Sequence, residues 1–162
     1  PKFLHSNATS HKWALGAIAE LLDNSLDEVV HGATMVSLDM IPSPRDGRPM
    51  LVIEDDGGGM DPEQIRKCMS LGYSIKSKFA NTIGQYGNGF KTSTMRLGAD
   101  VLVLSRTKGK TDGSSLPTQS IGLLSYSFLR DTCQEDIIVP MVYCISHILE
   151  GLCPNTFQMI IC

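Results

Sequence analysis

The sequence has 162 residues, 42% hydrophobic and 19% charged, with a net charge of −3. That fits one globular domain with a core of its own, excludes two, and gives no overall pull towards nucleic acid or an anionic membrane. No apolar run reaches the roughly 18 residues of a membrane span, the N-terminal PKFLHSNATSHK lacks the apolar centre of a signal peptide, and the five cysteines form no CxxC pair, so a soluble intracellular protein with reduced thiols is expected.

The first predicted element is a helix over Trp13 to Val30, with Ser10 as N-cap and Gly32 as stop. Ala14, Ile18, Leu21, Leu22, Ser25 and Val29 form its packing stripe. Glu20, Asn24 and Asp27 line up on another stripe with Asp23 beside them, inside an otherwise apolar run. A carboxylate and a carboxamide one turn apart can orient a water and hold a hard cation through oxygen, although an ordinary solvated helix face has the same spacing. Thr34 to Ile41 alternates as a half-buried strand, Pro42 to Pro49 with Asp46-Gly47 is turn chemistry, and Met50 to Glu54 returns as the second strand of a hairpin. Asp61-Pro62-Glu63 is the N-cap, proline and acidic first turn of another helix, running to about Ser70. A polar loop over Leu71 to Ile83 leads to a short helix, FKTSTMRL, closed by Gly98. Val101 to Ser105 and Gln119 to Phe128 read as strands, and Asp136 to Val142 as a further one.

Two glycine-rich segments carry the remaining chemistry. IGQYGNGFKTS opens a helix, so its backbone N–H groups and the positive end of the helix dipole suit a phosphate. It is not a P-loop, because Phe90 precedes Lys91 and Thr92 where the lysine should follow Gly89 directly. Nor is it a Rossmann turn, since the order is GxxGxG after a loop. VIEDDGGGM puts Asp55 at the end of an apolar strand, with Gly57 and Gly59 admitting close approach to the backbone. A carboxylate there can accept from an exocyclic amine such as that of adenine. Each segment alone is also compatible with a ligand-free turn.

Taken in order, ExxDN on a first helix, DxGxG after a strand and GxxGxG after a loop resemble the ATP site of the GHKL superfamily, which includes DNA gyrase B, heat-shock protein 90, histidine kinases and MutL proteins. More narrowly, HSNATSHKWALGAIAELLDNSLDE, SLGYSIKSK and TIGQYGNGFK resemble the Microrchidia (MORC) ATPases, over about Phe3 to Met141. The resemblance implies an α+β, two-layer sandwich of the GHKL (Bergerat) type, with a mixed, mostly antiparallel sheet covered on one face by helices. It implies Glu20 as general base, Asn24 as Mg²⁺ ligand and Asp55 as reader of the adenine amine. It further implies Gly57, Gly59 and Met60 in the adenine pocket, Gly84, Gly87, Asn88 and Gly89 in the phosphate loop, Lys91 against a phosphate, and Leu71 to Ile83 as the ATP lid. The function implied is a nuclear Mg-ATP-dependent head that closes its lid, dimerises with itself or related ATPases, and serves chromatin compaction and silencing, with DNA as a partner.

The resemblance also implies a second ATPase subdomain bearing a catalytic lysine, which is not read in these residues, so this stretch by itself is expected to bind ATP and to turn it over very slowly. Residues 1–141 are therefore expected to form the ATP-binding domain and 142–162 an atypical apolar tail holding Cys144, Cys153 and Cys162. The alternatives are a truncated, catalytically idle interaction module, or another GHKL ATPase of MutL or Hsp90 type. The basic clusters Arg66/Lys67 and Arg106, Lys108, Lys110 are either DNA contacts or solvated loops.

Overall fold

The computed structural model describes residues 13–70, 89–108, 116–134, 137–145 and 156–162. In chain order the elements are α1 (Ala14–Asp27), a 3-10 turn (Glu28–His31), β1 (Val36–Pro42), β2 (Pro49–Asp55), α2 (Pro62–Met69), α3 (Gly89–Leu97), β3 (Asp100–Thr107), β4 (Thr118–Ser125), α4 (Tyr126–Asp131), β5 (Met141–Ile145) and β6 (Thr156–Ile161). The strands form one sheet in the order β1-β2-β6-β3-β4-β5, and every pairing is antiparallel. The α+β class is as expected.

Register explains the core. Ile53, Met159, Val103 and Gly122 stand in one row across β2, β6, β3 and β4, and Leu51, Ile161, Val101 and Leu124 in the next. Side chains alternate across a strand, so both rows share one face. Leu21 of α1, Ile65 and Met69 of α2 and Phe90 and Met95 of α3 pack on that face in a single cluster. At Gly122 the missing side chain leaves the backbone in contact range of Ile65 and Met69. Each fully buried Leu, Ile or Met contributes about 1.5–3 kcal/mol relative to exposure.

Local chemistry sets most element ends. Asp61 Oδ1 accepts from Gln64 N at 2.8 Å while Gln64 Oε1 accepts from Asp61 N at 2.8 Å, a capping box ahead of Pro62. The hairpin turns at Gly47, with φ +71, closed by Ser43 N donating to Arg48 O at 2.7 Å. Gly32, with φ +94, ends the 3-10 turn.

Several expectations need correction: β1, read as half-buried, is exposed along its whole length at the edge of the sheet. The first helix stops at Asp27, and its buried stripe is Ala17, Leu21 and Ser25, with Ala14 and Val29 exposed. The run over Gln119 to Phe128 is strand only to Ser125, whose Oγ accepts from Phe128 N at 2.9 Å and so caps α4. The strand expected over Asp136 to Val142 lies instead at Met141–Ile145. Finally, the stretch after residue 141, set apart on composition, does not stand off the sheet: β6 lies between β2 and β3. The cap position of α1 is Trp13, with no side-chain cap bond, and not the expected Ser10; Cys153 and Lys110 lie outside the described residues.

Candidate functional site

Helix α1 carries a line of polar side chains at successive i, i+4 steps, Glu20, Asn24 and Glu28, where α1 gives way to the 3-10 turn. Glu20 and Asn24 are half-buried, as are the flanking Asp23 and Asp27. The two ends of the line face different glycine segments. At one end, a β-carbon on Gly89, the first residue of α3, would overlap the Glu20 carboxylate, with Glu20 Cδ at 2.8 Å. Only a glycine lets the carboxylate sit against that helix start. At the other end, Glu28 Oε2 accepts from Gly58 N at 3.2 Å.

Asp55 closes β2 at 2% exposure. Ser25 Oγ donates to its Oδ2 at 3.1 Å and Gly57 N to its Oδ1 at 3.0 Å. Burial pushes its pKa above the ordinary carboxylate value, and the Glu28 and Asp56 charges push the same way, while the two donors oppose. Its neighbour Asp56 points elsewhere and accepts from Thr34 N at 2.7 Å, Thr34 Oγ1 at 2.6 Å and Met35 N at 2.8 Å. Those bonds, the Thr34 hydroxyl first, hold it down at about 2.

The glycines of the loop are spoken for by protein. A side chain on Gly57 would meet Glu28 Cβ at 2.7 Å. Gly59, with φ +68, lies against the Arg106 carbonyl, and Met60 N donates to Ser105 Oγ at 2.6 Å. The sequence reading gave Gly57 and Gly59 to an approaching ligand; here their missing side chains admit the 3-10 turn and β3.

Lys91 is 3% exposed, within electrostatic reach of Cys68 on α2. Burial holds its ammonium below the ordinary lysine range and pushes the Cys68 thiol up to about 11. Gly84, Gly87, Asn88 and the lid stretch Leu71 to Ile83 lie outside the described residues. Of the expected basic contacts, Lys67 Nζ pairs with Glu63 at 2.7 Å. Two cavities, of about 700 Å³ between α2 and the β4–β5 edge and about 320 Å³ on the sheet face away from the helices, are lined by none of Glu20, Asn24 and Asp55.

Sequence reasoning missed Glu28 and Thr34 and read Ser25 only as packing. Two signals were available. Glu28 continues the Glu20–Asn24 spacing by four, and Ser25 is a hydroxyl set in an otherwise apolar stripe.

The oxygen donors on α1 suit a hard divalent cation, with Asn24 as a neutral ligand. No group of three or more His, Cys, Asp or Glu side chains is gathered to hold a metal among the described residues. Cys68, Cys133, Cys144 and Cys162 are free thiols. No helix among the described residues is long and apolar enough to cross a membrane.

Residues 12–123 match the family model for histidine kinase-, DNA gyrase B- and HSP90-like ATPases. Protein MICRORCHIDIA 7 of Arabidopsis thaliana is 74% identical over 88% of this chain and 20% of its own length. Protein MICRORCHIDIA 4 of the same plant is 72% identical over 88% of this chain and 18% of its length. The mouse MORC family CW-type zinc finger protein 3 is 37% identical over 88% of this chain and 14% of its length. The chain thus spans about a fifth or less of the curated relatives named here.

Proposed function

This chain belongs to the histidine kinase-, DNA gyrase B- and HSP90-like ATPases, with Microrchidia proteins among its relatives, and on that premise we propose that it binds Mg-ATP along α1. The observation that carries the reading is the polarity of the Glu20–Asn24–Glu28 line. One end abuts the start of α3 and the other the loop bearing Asp55, about 12 Å apart at 1.5 Å per residue. That is the scale of a nucleoside triphosphate laid from phosphates to base.

In this reading Asp55 accepts from the adenine amine, using lone pairs beyond those given to Ser25 and Gly57. The start of α3 turns the positive end of its dipole to the phosphates. Glu20, held beside that start, takes the proton of the water attacking the γ-phosphate. Asn24 is the side chain that holds Mg²⁺, which when bound neutralises phosphate charge. Lid closure over the nucleotide, dimerisation with a second such head, and service in nuclear chromatin compaction on DNA are the wider role proposed for the protein of which this domain is part. They follow from the resemblance to the Microrchidia ATPases alone.

Calorimetric titration tests the reading. Wild-type chain should bind ATP in a Mg²⁺-dependent way, Glu20→Ala should keep binding while whatever single-turnover hydrolysis the chain shows falls by about 10²–10⁴-fold, and Asn24→Ala should lose the Mg²⁺ dependence. A correctly folded chain with no affinity for ATP would end it.

A further inference from the structure

We propose that Glu28 is a positioning residue for the base-binding end of the site, its carboxylate clamping the glycine loop that carries Asp55. The inference rests on the ATP reading for its role and on the geometry alone for the clamp.

The 3-10 turn and the loop are built into one another. Glu28 Oε2 accepts from Gly58 N at 3.2 Å and faces His31 Nδ1 at 3.2 Å. Glu28 Cβ and Cγ occupy the space 2.7 and 3.2 Å from where a Gly57 side chain would begin, and His31 Cβ lies 3.2 Å from the equivalent point on Gly58. No other residue type fits at Gly57 without moving Glu28. On its far side the loop is fastened by Asp56 to Thr34 and Met35. Asp56 to Gly58 are therefore held by residues that follow α1, while Asp55 itself, the last residue of β2, is bonded to Ser25 within the helix that carries Glu20 and Asn24.

The same carboxylate also acts at a distance. It is a negative charge beside the buried Asp55, as is Asp56 from the loop itself, with His31 the basic group facing Glu28. Glu28 thus has two separable roles, as acceptor for a backbone N–H and as a charge that opposes ionisation of Asp55.

Two variants separate them. Glu28→Ala removes both, and Glu28→Gln keeps an acceptor and removes the charge. Amide hydrogen exchange without nucleotide should show Gly58 exchanging about tenfold faster in Glu28→Ala and near wild type in Glu28→Gln. The Met60 amide, bonded to Ser105 Oγ, serves as control and should not change in either. With ATP, Glu28→Ala should lose about tenfold in affinity. Glu28→Gln should lose less affinity at neutral pH than Glu28→Ala, and the acid limb of binding should move to lower pH, because Asp55 ionises more easily. Unchanged Gly58 exchange in Glu28→Ala, or an unmoved acid limb in Glu28→Gln, would overturn the proposal. A loosened loop in Glu28→Ala with a wild-type chain that binds no ATP would uphold the clamp and sink the ATP reading.

Discussion

Ser25 and Asp55, thirty positions apart in sequence, meet in a buried hydrogen bond of 3.1 Å, with the serine hydroxyl donating to the carboxylate. The bond joins the first helix to the end of β2 and leaves the carboxylate fixed before any ligand arrives. Fixing an acceptor in advance lowers the ordering cost of binding.

Replacing that carboxylate should therefore be expensive. In Asp55→Asn one of the two oxygens becomes an NH₂ group, which cannot accept from Ser25 and Gly57 together or from an incoming amine. A hydrogen bond to a charged group is worth about 1.5–3 kcal/mol, so ATP affinity should drop roughly ten- to a hundredfold by calorimetry. Unaltered affinity would remove Asp55 from the base-binding pocket.

Gly89→Ala should mimic Glu20→Ala without touching the carboxylate itself. The new methyl takes the place of the Glu20 head group, so Glu20 must swing away from the start of α3. Hydrolysis should fall by about 10²–10⁴-fold in both variants. Single-turnover assays on the two side by side check this; full activity in Gly89→Ala would mean that Glu20 has no role at that position.

The neighbouring aspartates should respond to acid in opposite senses. The Asp56 pKa is lowered from 3.8 to about 2, so its contribution to stability is present above the unfolded value and is lost as pH falls towards 2. Asp55 is raised, so its contribution is present below the unfolded value and is lost as pH rises through its folded value. Asp56→Asn should flatten the fall in melting temperature between about pH 4 and 2. Asp55→Asn should instead remove a penalty and raise stability near neutrality relative to acid. Melting curves at several pH values distinguish the two.

What was legible beforehand was local. The Asp61 cap with Pro62 behind it and the Gly47 hairpin both depend on residues within a few positions of one another, and both are found where the pattern put them. The centre of the sheet was not. TFQMII is a plausible strand, yet nothing local says that Met159 must lie between Ile53 and Val103, since that is decided by pairings that span most of the chain. Helix α4 was hidden for a related reason. Ser125 reads as the next residue of an apolar strand until its hydroxyl is seen bonded to Phe128 N and to Asp100 across the sheet. The role of Glu28 was obscured because the helix tightens to 3-10 geometry just where it faces the loop.

The central place of β6 gives a stability prediction. Met159 is 2% exposed and touches strands on both sides. Met159→Ala should cost about 2–5 kcal/mol. Chemical denaturation should show that loss in the midpoint, with β2 and β3 losing exchange protection together; protection lost on one side only would mean that β6 is not integral to both halves.

The position of β6 also sets a timetable. Gln158 meets Glu54 across 104 residues of sequence, and the strand between β2 and β3 is the latest of the six to be synthesised. On a ribosome, the β1–β2 hairpin and the β3–β4 pair emerge first and wait with their inner edges unpaired, for seconds at about 5–20 residues per second. Until β6 arrives, two open strand edges of matching register are exposed, each able to pair with the wrong chain. The high sequence separation of its closing contacts slows that last step and lengthens the time for which the two edges stand open.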